Sequence, residues 1–135
     1  MIAGAVVDTD VVSFPFRHDS RATLYRPHLA GRLLLISFMT LAELHRWALR
    51  RRWGARRRAA LAAHLGQFIV GWPDEALCLQ WADVMVQTER VGRPMSVPDA
   101  WQAAMALING VPIITHNRRD FAGVPGLAMI SEAPA

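Results

Sequence analysis

The chain opens on an unbroken apolar run, residues 2–7, that ends at Asp8 inside "VVDTDVV". A short continuous run bounded by polar residues reads as a strand buried on both faces. The pattern returns at "RLLLIS", 32–37, at "VPIIT", 111–115, and at "GLAMI", 126–130. Between these runs the apolar spacing becomes helical. Asp10 to about Phe14 can begin a helix that Pro15 stops, and 19–29 form a second helical piece closed by Gly31. Further helices are predicted from Met39 to Trp53, from about Ala55 to Phe68, over 74–91, and from Pro98 to Gly110. Gly54, the pair Gly92 and Pro94, and Gly110 supply the breaks. "IVGWP", 69–73, reads as a turn. Strands alternating with helices predict an α/β fold with a mostly parallel central sheet flanked by helices on both faces.

No repeat, low-complexity tract or linker divides the 135 residues, which predicts a single domain over 1–135 with a loose tail from about 131, "SEAPA". Hydrophobic residues make up 53 %, yet no apolar run reaches the length of a membrane span. No basic segment precedes the first apolar run, so no secretory signal is read and a cytoplasmic protein is expected. The apolar excess fits either a dense core or a face for a partner or a second copy. Cys78 is alone, which excludes an intramolecular disulfide and a Cys-rich zinc site. All 15 basic residues are arginine, and the net charge is +4.

The position of the acids changes the picture most. In an open parallel sheet, ligands bind beyond the carboxyl ends of the strands. Asp8 ends the first strand, Glu43 lies about one helical turn after the second, Asp99 starts the helix before the third, and Asp120 follows it with Asn117 between. Each acid has a plain structural role open to it. Asp10 can cap the helix it begins, Glu43 can face solvent, Ser96 and Asp99 stand at capping-box spacing, and Asp120 can cap a turn. Taken together they converge on one sheet edge. Converging carboxylates repel unless a cation joins them, and Mg²⁺ or Mn²⁺ is the hard cation suited to oxygen ligands.

"VVDTDVV" alone is similar to the first motif of haloacid-dehalogenase-like phosphatases, with Asp8 as nucleophile. Those enzymes normally neutralise the phosphoryl group with a lysine, and this chain has none. Over nearly the whole chain, "VVDTDVVSF", "ISFMTLAELHRWAL", "GRPMSVPDAWQAAMAL" and "VPIITHNRRDFAGVPGL" resemble, in this order and spacing, a PIN domain of the VapC toxin type. The resemblance implies a PIN-like three-layer sandwich and a Mg²⁺- or Mn²⁺-dependent endoribonuclease toxin of a type II toxin–antitoxin pair. It also implies a cognate VapB-like antitoxin and a homodimer. By position, Asp8, Glu43 and Asp99 match the family's first three acids. Asn117 stands where the fourth is often found and Asp120 lies three residues later, so Asp120 is assigned as the fourth acid and Asn117 as a neutral ligand or water-holder. Asp10 departs from the usual neutral residue and can bind metal or cap. The alternatives are the phosphatase and a catalytically weak PIN-like binding module.

RNA would also need cationic contacts. "RRRWGARRR" offers Arg50, Arg51, Arg52, Arg56, Arg57 and Arg58 around Trp53, and Arg118 and Arg119 adjoin the predicted site. Glu43, Trp47 and Arg50 share a helical face, which puts Trp47 beside the cleft if Glu43 points into it. Trp53 reads first as a core residue and second as a stacking surface for bases. The five histidines show no zinc-ligand pairing.

Overall fold

The computed structural model describes residues 3–134. Five parallel strands form one sheet: β1 (Gly4–Val7), β2 (Leu33–Ser37), β3 (Ile69–Gly71), β4 (Ile113–Ile114) and β5 (Met129–Ile130). Their order is β3-β2-β1-β4-β5. The chain therefore winds outward from β1 in one direction through β2 and β3, then returns to the other side of β1 for β4 and β5. That reversal leaves a crevice at the carboxyl ends of β1 and β4.

The pleat of β1 sorts its side chains between two cores. Ala5 and Val7 join one apolar cluster and Val6 the other, as the two-residue period of a strand requires. The first cluster is covered by α1 (Thr9–Ser13), α2 (Ala22–Leu29), α3 (Phe38–Arg50) and α4 (Ala55–Leu65). The second is covered by α5 (Glu75–Arg90), α6 (Val97–Asn109) and α7 (Arg118–Phe121). These layers make the expected helix–sheet–helix sandwich.

Capping side chains set three helix starts: Ser37 accepts from the Met39 amide at 3.0 Å, Asp74 from Leu77 at 2.8 Å, and Ser96 from Asp99 at 3.2 Å. Ala100, Ala103, Ala104 and Ala106 are fully buried, and their small side chains bring α6 close against the sheet. None of the helices among the described residues is long and apolar enough to cross a membrane.

Three local expectations need correction. "IVGWP" is not only a turn, because Ile69–Gly71 pairs in parallel with Leu35–Ser37. Three residues ending in glycine carry too little pattern to reveal an edge strand. The first helix ends at Ser13, just before Pro15 as expected, and the chain continues as a 3₁₀ turn, Phe14–Arg17, that closes at His18 with φ 50°. The fixed φ of Pro15 suits a first helical turn as well as a stop. Asp10 is not a helix cap, since α1 starts at Thr9 and Asp8 holds the N-cap position. The segment from Ser131, read as a loose tail, carries hydrogen bonds to the body. Ser131 O accepts from Arg118 at 3.0 Å, the Glu132 amide donates to Tyr25 Oη at 3.0 Å, and Glu132 Oε1 lies 2.7 Å from His28 Nε2.

Candidate active site

Asp8 has the backbone of a helix N-cap, φ −63° and ψ 146°, yet its side chain caps nothing. An aspartate there normally accepts from the first-turn amides. Its Oδ2 instead accepts from Thr115 Oγ1 at 2.8 Å, across the crevice from the segment after β4. The carboxyl group is 5 % exposed, and burial pushes it from an ordinary 3.8 up to about 7. Hydrogen bonds from Thr115 and Gln102 oppose the rise, while the charges of Asp10 and Asp99 add to it.

The other predicted acids stand around Asp8. Glu43 on α3 is half-buried and raised, first by burial and then by the charges of Asp99 and Asp10 against the bond from Thr9. Asp99 in the first turn of α6 is raised by burial and by Asp120 and Asp10, against the Ser96 hydroxyl. Ser96 thus caps the helix at the same place, and the structural and chemical uses of this stretch coexist. Asp10 and Glu43 line one cavity beside Asp8, while Asp99 and Asp120 line another. Asp10 exerts its charge on Asp8, Glu43 and Asp99 alike. Acids distant in sequence therefore form one mutually repelling group.

Neutral donors hold the group in place. Thr9 Oγ1 donates to Glu43 Oε1 at 3.3 Å and accepts from Gln102 Nε2 at 3.2 Å, with Thr40 Oγ1 2.8 Å away. Since Thr9 spends its proton on Glu43, Thr40 is the donor in that pair. Asn117 Nδ2 donates to Asp10 Oδ2 at 2.9 Å, and its backbone amide donates to Thr115 Oγ1 at 2.9 Å. Arg17 Nη1 approaches Asp10 at 3.9 Å, a partly exposed pair of small energetic weight. Sequence reasoning missed Thr40 and Gln102. The available signal was Gln102 itself, a lone amide in the apolar run "AWQAAMA"; it is 1 % exposed and its Oε1 has no hydrogen-bond partner.

The predicted arginines fall in different places. Arg51 lines the Asp10–Glu43 cavity, Arg50 continues that wall, and Arg119 lines the Asp99–Asp120 cavity. Arg118 donates to Ser131 O and so anchors the C-terminal segment. Arg17, not named from sequence, and Arg57, one of the arginines around Trp53, line the first cavity with Trp47 and Trp53. His116 Nδ1 pairs with buried Tyr25 Oη at 2.6 Å.

Among the described residues, no three Asp, Glu, His or Cys side chains already close into a metal cage. The donor set is nonetheless all oxygen at its centre, negatively charged, and without an enclosed cation partner. That chemistry fits a hard divalent ion that keeps several waters and takes one or two carboxylates, and it does not fit a closed zinc site.

A parallel sheet with acids gathered at its switch point defines a class of α/β proteins whose chemistry lies at the strand ends. The PIN domain family model matches residues 5–127, and the chain belongs to that family. It is 26 % identical over 124 residues to Ribonuclease VapC1 of Haemophilus influenzae, covering 90 % of this chain and 92 % of that protein. It is 27 % identical over 122 residues to the tRNA(fMet)-specific endonuclease VapC of Shigella flexneri, with the same coverages of 90 % and 92 %. Among solved structures, VapBC-1 from nontypeable Haemophilus influenzae superposes with a TM-score of 0.80 at 26 % identity, over 97 % of this chain and 98 % of that one. The VapBC2 structure from Rickettsia felis, bound to a promoter DNA fragment, gives 0.81 at 17 % identity, with coverages of 97 % and 98 %. Family membership removes the haloacid-dehalogenase-like alternative.

Proposed function

We propose that this chain is the endoribonuclease toxin of a type II toxin–antitoxin pair and acts with Mg²⁺ or Mn²⁺. The observation that carries the reading is the gathering of Asp8, Asp10, Glu43, Asp99 and Asp120 into one repelling group, with Asp8 pushed up to about 7. The curated relatives named above as ribonuclease and endonuclease support it. The VapBC structural neighbours support a VapB-like antitoxin as partner. A homodimer and a cytoplasmic location complete the proposal.

Asp8, Glu43 and Asp99 would hold the ion, with Asp120 on the Asp99 side and Asp10 and Asn117 as auxiliary oxygen donors. When bound, the ion supplies an activated water and charge for the departing 3′ oxygen. Thr115 fixes the Asp8 carboxylate, and Thr9 fixes Glu43, so neither must be ordered during turnover. Asn117 holds Asp10 away from solvent-driven rotation. Arg51, Arg50 and Arg119 lie where the phosphates of a strand crossing the acids would pass.

The test is cleavage of RNA by the purified chain with Mg²⁺ or with chelator, followed by end mapping. Products should carry 5′-phosphate and 3′-hydroxyl ends, and Asp8→Asn or Asp99→Asn should nearly abolish them with the fold intact. Unchanged cleavage by both variants overturns the assignment. Metal binding without cleavage of any cellular RNA would instead indicate a PIN-like binding module.

A further inference from the structure

The two cavities flanking the acids differ in character. The one beside Asp10 and Glu43 measures about 560 Å³ and contains three aromatic rings, Phe16, Trp47 and Trp53. The one beside Asp99 and Asp120 measures about 330 Å³ and has Arg93 and Arg119 but no aromatic ring in its lining. The aromatic side is built in advance. Trp47 and Trp53 meet edge to face with centroids 4.8 Å apart, and Phe16 lies nearly parallel to Trp53 at 6.0 Å. The Arg57 guanidinium sits 3.9 Å over the Trp53 ring while donating to Phe16 O at 3.0 Å. These rings are half-buried, so part of each also faces the groove.

The charge of the groove decides its occupant. Apart from Asp10 and Glu43, which belong to the acid group, its charged lining is Arg17, Arg51 and Arg57. Arg46 and Arg50 extend the basic wall along α3 past Trp47. Rings interleaved with arginines, opening directly onto a phosphodiester-cleaving site, match a single-stranded polyanion with π-faced bases. We propose that this groove is a nucleotide subsite: one unpaired base next to the scissile phosphate stacks against Trp47, and Arg17 and Arg51 contact the phosphates on either side of it. The Arg93–Arg119 side then holds backbone without base stacking. The strand is consequently gripped unequally on its two sides, and base identity is read loosely, because every base has a π-face. This subsite rests on the nuclease reading given above.

The test uses the full chain carrying Asp99→Asn, which the nuclease reading expects to stop turnover. Single-stranded oligoribonucleotides are titrated, intact or with one abasic position moved along the strand, and read by tryptophan fluorescence at several salt concentrations. The intact strand should quench the fluorescence, and one abasic position should weaken binding by about tenfold. Trp47→Leu should erase that position dependence. Arg51→Gln, an exposed change that leaves the core untouched, should lower the salt slope by about 1 while keeping it. A flat abasic profile, or an unchanged profile in Trp47→Leu with an unchanged salt slope in Arg51→Gln, overturns the subsite. A groove that serves a protein partner's segment gives that same result, with RNA binding indifferent to both residues. Cleavage by the unaltered chain with a flat profile sinks the subsite alone. Position-dependent binding through Trp47 without any cleavage sinks the nuclease reading and leaves the subsite standing.

Discussion

Thr115 Oγ1 donates to Asp8 Oδ2 at 2.8 Å, joining the ends of two adjacent strands across 107 positions of sequence. The same hydroxyl accepts from the Asn117 amide at 2.9 Å, so one buried threonine orders both the central acid and the start of the following loop. Thr115→Val removes both contacts and leaves a buried carboxyl group and an amide without them. A loss of about 1–3 kcal/mol in folding stability is expected. Because the hydroxyl lowers the Asp8 pKa, its removal should also move the acid limb of the activity profile to higher pH. Thr115→Ser should restore both in denaturant melts and pH–rate curves.

The raised pKa of Asp8 makes the metal-free fold weaker as pH rises. In the unfolded chain the group ionises near 3.8, whereas in the fold it keeps its proton to about 7. Between those values the unfolded state binds fewer protons, so stability falls with increasing pH. The penalty is absent below the lower value and complete above the upper one, with a ceiling of about 4 kcal/mol. Glu43 and Asp99, also raised, contribute in the same direction. In chelator, Asp8→Asn should therefore melt near the unaltered chain at pH 4 and above it at pH 7.5. An Asp8→Asn protein that melts lower at pH 7.5 would contradict the assignment of a burial penalty to this group.

Mg²⁺ should reverse that weakness. Any ion that binds the folded acids and not the unfolded chain raises the melting temperature by mass action. Addition of Mg²⁺ at pH 7.5 should stabilise the unaltered chain measurably, Asp8→Asn less, and chelator should return the first to its metal-free value. Calorimetric scans across a Mg²⁺ series check this.

Thr9 is the hub through which Thr40 and Gln102 reach Glu43. Thr9→Val keeps the shape and deletes the hub. Partners of this kind typically affect metal affinity or activity by about 10–100-fold. The expected result is a loss of that size in cleavage, with a higher Mg²⁺ requirement and a stability loss of about 1–3 kcal/mol, because the buried Gln102 amide and Thr40 hydroxyl lose their partner. A loss of activity without any change in Mg²⁺ requirement would place Thr9 outside the orientation of Glu43.

Gly71 ends the edge strand where the Met105 side chain of α6 crosses it, and an added methyl group would overlap the Met105 sulfur. Gly71→Ala should cost about 1–3 kcal/mol by overpacking. Gly54, whose added methyl meets nothing within 4 Å, should tolerate the same change far better. Paired melts of the two variants check the contrast.

Much of the fold was legible because strong patterns wrote it. The runs ending at Asp8 and Ser37 are long enough, and apolar enough, to be strands in any buried setting. The segment 69–73 was not legible as a strand, since three residues with a glycine acquire strand geometry only by pairing with Leu35–Ser37. The site divides the same way. Asp8, Glu43 and Asp99 were legible from their places after or before strands, whereas Gln102 and Thr40 look like ordinary helix residues until α3 and α6 are brought together around Thr9. Arg57 lies in a run of arginines whose members are equivalent in sequence, and its stacking on Trp53 separates it from Arg56 and Arg58.

The sequence alone determined the alternation of strands and helices, the absence of lysine, and the placement of acids at strand ends, because these depend on residue type and short-range spacing. The tertiary structure decided which carboxylates share one field, that the Asp8 side chain caps no helix, and that aromatic rings line one of the two cavities beside the acids and not the other. Those outcomes depend on burial and on contacts between segments up to 107 residues apart, and neither is encoded in local periodicity.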